Sequence, residues 1–98
     1  MNAEIQTFNF NAAPLRTLTD ENGDPWFVAK DVCDILSLSN ATVALQSLDD
    51  DELTKFNLGS QNGEANIISE PGLYRLVMKS RKPEAREFQR WITHEVLP

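Results

Sequence analysis

The 98-residue chain contains one cysteine and one histidine, and each scarcity closes off a class of chemistry. Cys33 alone allows no internal disulfide and no thiolate cluster for zinc, and His94 cannot complete a metal site by itself. Such cysteine usage suits a reducing, intracellular compartment. No apolar run approaches the about 20 residues needed to span a bilayer, and no basic-then-apolar leader opens the chain, so a soluble, cytoplasmic protein without membrane contact is expected. The four glycines form no phosphate-binding loop, and no serine stands in a nucleophile setting with the histidine. An enzyme is therefore not expected, nor a cofactor. Basic side chains are also in the minority, nine against fifteen acidic for a net charge of −6, which does not favour a nucleic-acid partner.

The distribution of charge is more informative than its sum. Residues 1–70 hold three basic and twelve acidic side chains, net −9, whereas residues 71–98 hold six basic and three acidic, net +3. Only the last third can attract phosphate. Ninety-eight residues suffice for one domain and its core.

Along the chain, Ile5–Phe10 has the apolar residues of a short strand with Phe8 and Phe10 on one face, and residues 11–14 break it. Leu15–Thr19 and Pro25–Val28 flank an Asn22-Gly23 turn and predict a hairpin. Val32, Ile35 and Leu36 predict a helix from Ala29 or Lys30 to Leu38, with Asp31 near the positive end of its dipole. Ser39-Asn40 interrupts it and offers a new cap, and Ala41, Ala44, Leu45 and Leu48 stripe a second short helix. Asp49–Glu52 is a run of four like charges expected to be solvated. Thr54, Phe56 and Leu58 alternate as a strand, residues 59–64 form a polar loop, and Ala65–Ile68 return as its partner.

The final stretch predicts two helices joined by a basic corner. Ser69 caps the first, with Leu73, Leu76 and Val77 on its buried face; Pro83 starts the second, striped by Ala85, Phe88, Ile92 and Val96 with Trp91 at its edge. Arg75, Lys79, Arg81, Lys82, Arg86 and Arg90 place six of the nine basic residues within 75–90. Together with residues 23–33 (Gly-Asp-Pro-Trp-Phe-Val-Ala-Lys-Asp-Val-Cys), the runs Ser69–Tyr74, Ser80–Phe88 and Trp91–Pro98 resemble the Bro-N domain. That family is found at the N-terminus of phage and prophage antirepressors and of the Bro proteins of large DNA viruses. The resemblance implies a small α+β domain with DNA-binding or gene-regulatory work in a bacterial host cell, and a further domain beyond Pro98.

Two constellations bear on that expectation. Helix, break and helix around Ser39-Asn40 is the arrangement of a helix-turn-helix, in which Asn40, Thr42 and Gln46 would face base edges. The second helix, however, carries no Lys or Arg and is followed at once by the acidic run, so ordinary core packing is the simpler reading. Lys82, Arg86 and Arg90 recur every four residues, rising about 6 Å per step, near the spacing of phosphates along a strand. The plain alternative is a solvated face in which Glu84 and Glu87 pair with the arginines. Trp26, Phe27, Tyr74 and Trp91 can stack bases but more often build the core of a small domain, Cys33 reads as a small buried hydrophobe, and His94 as structural.

The expectation is thus an α+β domain, a small antiparallel sheet with hairpins covered by about four helices, two of them closing the chain. Its partner would be double-stranded DNA, held at the phosphates by Lys79, Arg81, Lys82, Arg86 and Arg90, with Asn40, Thr42 and Gln46 as base readers. The competing expectation is a protein partner: a repressor captured through the acidic surface of residues 1–70. Homo-oligomerisation stays open.

Overall fold

A computed structural model describes residues 5–57 and 63–97. The chain runs β1 (Gln6–Phe10), β2 (Ala13–Thr19), β3 (Pro25–Val28), α1 (Ala29–Ile35), α2 (Ala41–Leu45), β4 (Leu53–Asn57), β5 (Glu64–Ser69), α3 (Glu70–Lys79) and α4 (Glu84–Trp91), then a π-helical turn over Ile92–Val96. The strands form one antiparallel sheet in the order β1-β2-β3-β5-β4. This is the expected α+β architecture, with two helices closing the chain. Leu58 and most of the expected 59–64 loop lie outside the described residues.

Local chemistry explains most boundaries, and not always through the residues the sequence singles out. The β2–β3 hairpin does turn at Gly23, whose φ is +83°. Its organiser is Asp20, whose Oδ1 accepts from the backbone N–H groups of Asn22 and Asp24 while Oδ2 accepts from Trp26 Nε1, each at 2.9 Å. The Trp26 bond and the backbone donors hold the Asp20 carboxyl below its ordinary pKa. Residues 11–14 do not end the sheet. Asn11 (φ 51°) and Ala12 (φ 70°) make a two-residue left-handed turn whose twist suits a hairpin, and Pro14 lies within β2 opposite Asn9.

Helix α1 ends earlier than the periodicity predicts. Ser37 is left-handed (φ 55°), its N–H bonds Asp34 O, and the Leu38 N–H bonds Cys33 O at 2.9 Å, the paired bonds of a Schellman ending. The break therefore falls two residues before Ser39. Asn40 still caps α2, its Oδ1 accepting from Val43 N at 3.1 Å. Ser69 caps α3 by accepting from Gly72 N at 3.2 Å.

One face of the sheet carries the main core. Leu15, Phe27 and Ile68 meet Val32 and Cys33 of α1, Leu73 and Leu76 of α3, and Phe88 and Ile92 from the closing segment, all buried. Phe8 and Phe10 of β1 pack with Phe88 and Trp91 at centroid distances of 5.3–6.2 Å, so the first strand and last helix hold each other. The other face holds a smaller cluster of Leu18, Val28 and Ile67, flanked by Trp26 and Phe56. Cys33 is buried, and desolvation pushes its thiol pKa up, as befits a packing residue.

Two buried carboxylates, Asp31 and Glu52, tie helices to the rest of the chain. Asp31 accepts from the backbone N–H, Nε and Nη2 of Arg16 at 2.9–3.0 Å, tying α1 to β2 and raising the Arg16 pKa through the side-chain bond. Glu52 corrects the expectation of a solvated acidic run: Asp49, Asp50 and Asp51 are exposed, but Glu52 is buried. Its Oε1 accepts from Asp49 N at 2.8 Å and its Oε2 from Arg75 Nε at 2.9 Å, so a fixed cation and a backbone donor replace the lost water. The bond from Asp49 N, then Arg75, lowers the Glu52 pKa. Gly72 permits this closure, because a Cβ there would stand 3.2 Å from Glu52 O.

Candidate nucleic-acid interface

The basic corner is built by the way α3 stops and α4 starts. Leu73, Leu76 and Val77 face the core, so the next two residues, Met78 and Lys79, point outward. Ser80 then leaves the helix in an extended conformation (ψ 137°). Its Oγ donates to Leu36 O at 3.1 Å and accepts from Lys82 N at 3.3 Å, pinning the corner to the end of α1. Pro83, at φ −57°, turns the chain into α4, where Ala85 and Phe88 are buried and Arg86 and Arg90 remain outside.

Lys79, Arg81, Lys82, Arg86 and Arg90 are all exposed, and among the described residues none of them forms an ion pair. The pairing of Glu84 and Glu87 with the arginines is likewise absent among the described residues; these two acids sit in the first turn of α4, where they favour the helix dipole. Lys82 lies just before α4, so the helical row comprises Arg86 and Arg90, with Lys82 extending it from the bend. Arg75 belongs elsewhere. Its guanidinium bonds Glu52 and, at 3.3 Å, Asp49, which removes it from the cations free to meet a ligand.

The structure brings Arg81, Lys82 and Arg86 together around a depression of about 400 Å³, with Met78 and Gln89 on its rim. Across Met78 lies a second depression of about 410 Å³ lined by Ser47, Arg75, Met78 and Lys79. Ser47 follows Gln46, so the far end of α2 abuts the corner. Thr42, at the start of α2, lines a separate depression with Arg16 and Lys30. Asn40, Thr42 and Gln46 are all exposed, but Asn40 Oδ1 is committed to its cap. The residue that sequence reading missed here is Met78. The signal was present, since two buried neighbours at 76 and 77 put position 78 outside the apolar stripe.

The aromatics have structural roles. Trp91 packs among Phe8, Phe10 and Phe88, and Tyr74 donates to Glu70 Oε2 at 2.9 Å, its pKa pushed up to about 12 chiefly by desolvation. His94 is exposed, with Nδ1 2.8 Å from Arg90 O.

At the opposite end of α3 the charge reverses. Asp24, Asp49, Asp51, Glu52 and Glu70 border a depression of about 370 Å³ walled by Trp26. Among the described residues, no helix is long and apolar enough to cross a membrane.

Comparison with known proteins adds a family. The profile described as the BRO family, N-terminal domain, matches residues 14–98. An uncharacterized protein of Haemophilus influenzae is 43% identical over 98 residues, covering 97% of this chain and 49% of that protein. Proteins of Invertebrate iridescent virus 3 and Invertebrate iridescent virus 6, both named as Bro-N domain-containing, are 35% and 34% identical across 76% of this chain, but across only 25% and 23% of their own lengths. The chain thus spans about half of the first relative and about a quarter of the viral ones. No solved structure matches it.

Proposed function

Because the chain belongs to the BRO family through its N-terminal domain, we propose that it is the regulatory DNA-binding module of a phage or prophage antirepressor, working in the cytoplasm of a bacterial host by binding rather than catalysis. The observation that carries this reading is the set of five exposed cations, Lys79, Arg81, Lys82, Arg86 and Arg90, unpaired among the described residues and carried by the end of α3, the bend and α4, whose buried side chains fix them in place. Unpaired cations on a rigid surface lose little on meeting phosphates, because no internal ion pair has to break and each contact releases a condensed counterion. These contacts position the duplex without reading it. Thr42 and Gln46, with the amide N–H groups of Asn40, whose Oδ1 is taken by the cap, are the base-reading candidates. Their helix carries no cation and leads into exposed Asp49–Asp51, so they contribute less.

A salt titration of labelled duplex DNA tests the reading. Each phosphate contact adds roughly −0.9 to the slope of log K against log salt. The double variant Arg86→Gln with Arg90→Gln keeps helix propensity and should bind more weakly on all sequences with a flatter slope. No binding by the parent at low salt, or an unchanged slope in the variant, overturns it.

The acid-lined depression favours a second reading, in which the domain captures a repressor by its basic DNA-binding face. Carboxylates beside Trp26 suit an inserted Arg or Lys, through charge and ring-face contact together. Under this reading DNA competes with the domain for the repressor.

A further inference from the structure

Among the described residues the most exposed large hydrophobic side chain is Met78, 84% exposed against 58% for Val43 and 38% for Ile5. Its exposure is fixed by the fold. Leu73, Leu76 and Val77 set the rotation of α3, Ser69 caps its start, and Ser80 hooks its end to Leu36 O. The thioether therefore stands on a rigid helix end as a ridge between the two depressions, with Arg81, Lys82 and Arg86 around one and Lys79 in the other.

We propose that Met78 is a wedge that enters the minor groove between adjacent base pairs, so that the corner binds double-stranded DNA in a kinked form. The inference rests on the DNA reading above. An apolar ridge flanked on both sides by cations matches a ligand whose apolar layer lies between two anionic rails, and a duplex opened at one base step has that cross-section. Proteins that bend DNA from the minor groove combine these parts: Lys or Arg at the phosphates and an apolar side chain, Met among them, that unstacks a step. Met is unbranched and polarisable, so it fits a flat slot between bases. Pyrimidine–purine steps such as TA unstack most easily, which makes the wedge a source of sequence preference that does not require α2 to touch a base.

The test uses a duplex of roughly 30 bp with a central TA step, a fluorescent adenine analogue at that step and donor and acceptor dyes at its ends. The parent should shorten the end-to-end distance by a kink of about 20–90° and brighten the analogue as the step unstacks. Met78→Ala should lose both signals while its salt slope stays that of the parent, since no charge is removed; Met78→Leu should restore them. Circular dichroism and a thermal melt confirm that the variants fold. A parent that binds without kinking, or a Met78→Ala variant that kinks the duplex as the parent does, overturns the wedge and leaves phosphate binding standing. A parent that binds no duplex at any salt overturns both readings.

Discussion

At the start of α3, Asp24, Asp49, Asp51, Glu52 and Glu70 border one depression beside Trp26, and Glu52 is buried against Arg75; at its end, the cations of α3, the bend and α4 form no ion pair among the described residues. The ten-residue helix separates the two regions by about 15 Å. The difference lies in what the charges are already doing. Arg75 closes the α2–β4 loop onto α3 and belongs to the fold, whereas Lys79, Arg81, Lys82, Arg86 and Arg90 close nothing. Of the six basic residues within 75–90, Arg75 is bonded to carboxylates, and the other five form no ion pair among the described residues.

The largest expected effect removes the support of the basic end. Phe88 is fully buried and touches both Phe10 and Trp91, so Phe88→Ala should cost about 3–5 kcal/mol, a large share of the about 5–15 kcal/mol typical of a domain. Trp91→Ala should cost less, since Trp91 is only half-buried. Urea unfolding followed by circular dichroism checks both, and equal midpoints for the two variants would contradict the ranking.

A crossed pair of variants separates the two kinds of cation. Arg75→Gln strips Glu52 and Asp49 of their cation, so it should lower the melting temperature while leaving the salt slope of DNA binding intact. Arg86→Gln with Arg90→Gln should do the reverse, reducing the slope by about 1.8 at about 0.9 per contact with the melt nearly unchanged. If Arg75→Gln instead flattens the slope, Arg75 reaches DNA and the division fails.

The smallest effect is the part of the pH dependence that comes from Glu52 at the acidic end. Glu52 has a folded pKa below its ordinary 4.5, so the folded state binds its proton less readily than the unfolded chain. The resulting stabilisation is complete above about pH 4.5 and is lost as pH falls through the lower folded value. Glu52→Gln should therefore reduce stability at neutral pH and shrink its fall on acidification, as read from urea midpoints across that range. A parallel acid decline in variant and parent would assign the effect to other carboxylates.

What could be read from the sequence was what adjacent residues decide. Gly23 in the hairpin, the caps by Asn40 and Ser69, the restart at Pro83 and the buried stripe through Phe88 and Ile92 rest on local chemistry, and the structure contains all of them. The left-handed Asn11-Ala12 and Ser37 escaped because Ala and Ser carry no strong preference for that region. The Arg16–Asp31 and Glu52–Arg75 pairs escaped because their partners are 15 and 23 residues apart. That is why Glu52 read as solvated, and why the bonds that hold Arg75 to the acidic loop went unseen. The corner's cations were legible, whereas the Met78 ridge between two depressions required the helix phase, the Ser80 hook and the approach of α2.

The strand order also dictates a sequence of events during folding. β1, β2 and β3 are joined by tight turns and can pair as soon as they exist, but β5 must reach back past two helices and β4 to lie beside β3, matching Val28 with Ile67. Closing that long loop costs entropy before burial compensates for it, so this pairing should control the folding rate. In stopped-flow kinetics, Ile68→Val should chiefly slow folding and Phe8→Leu chiefly speed unfolding; the opposite assignment would place the nucleus in the first hairpin. Since α3 continues directly from β5, its basic end can take shape only after the centre of the sheet has closed.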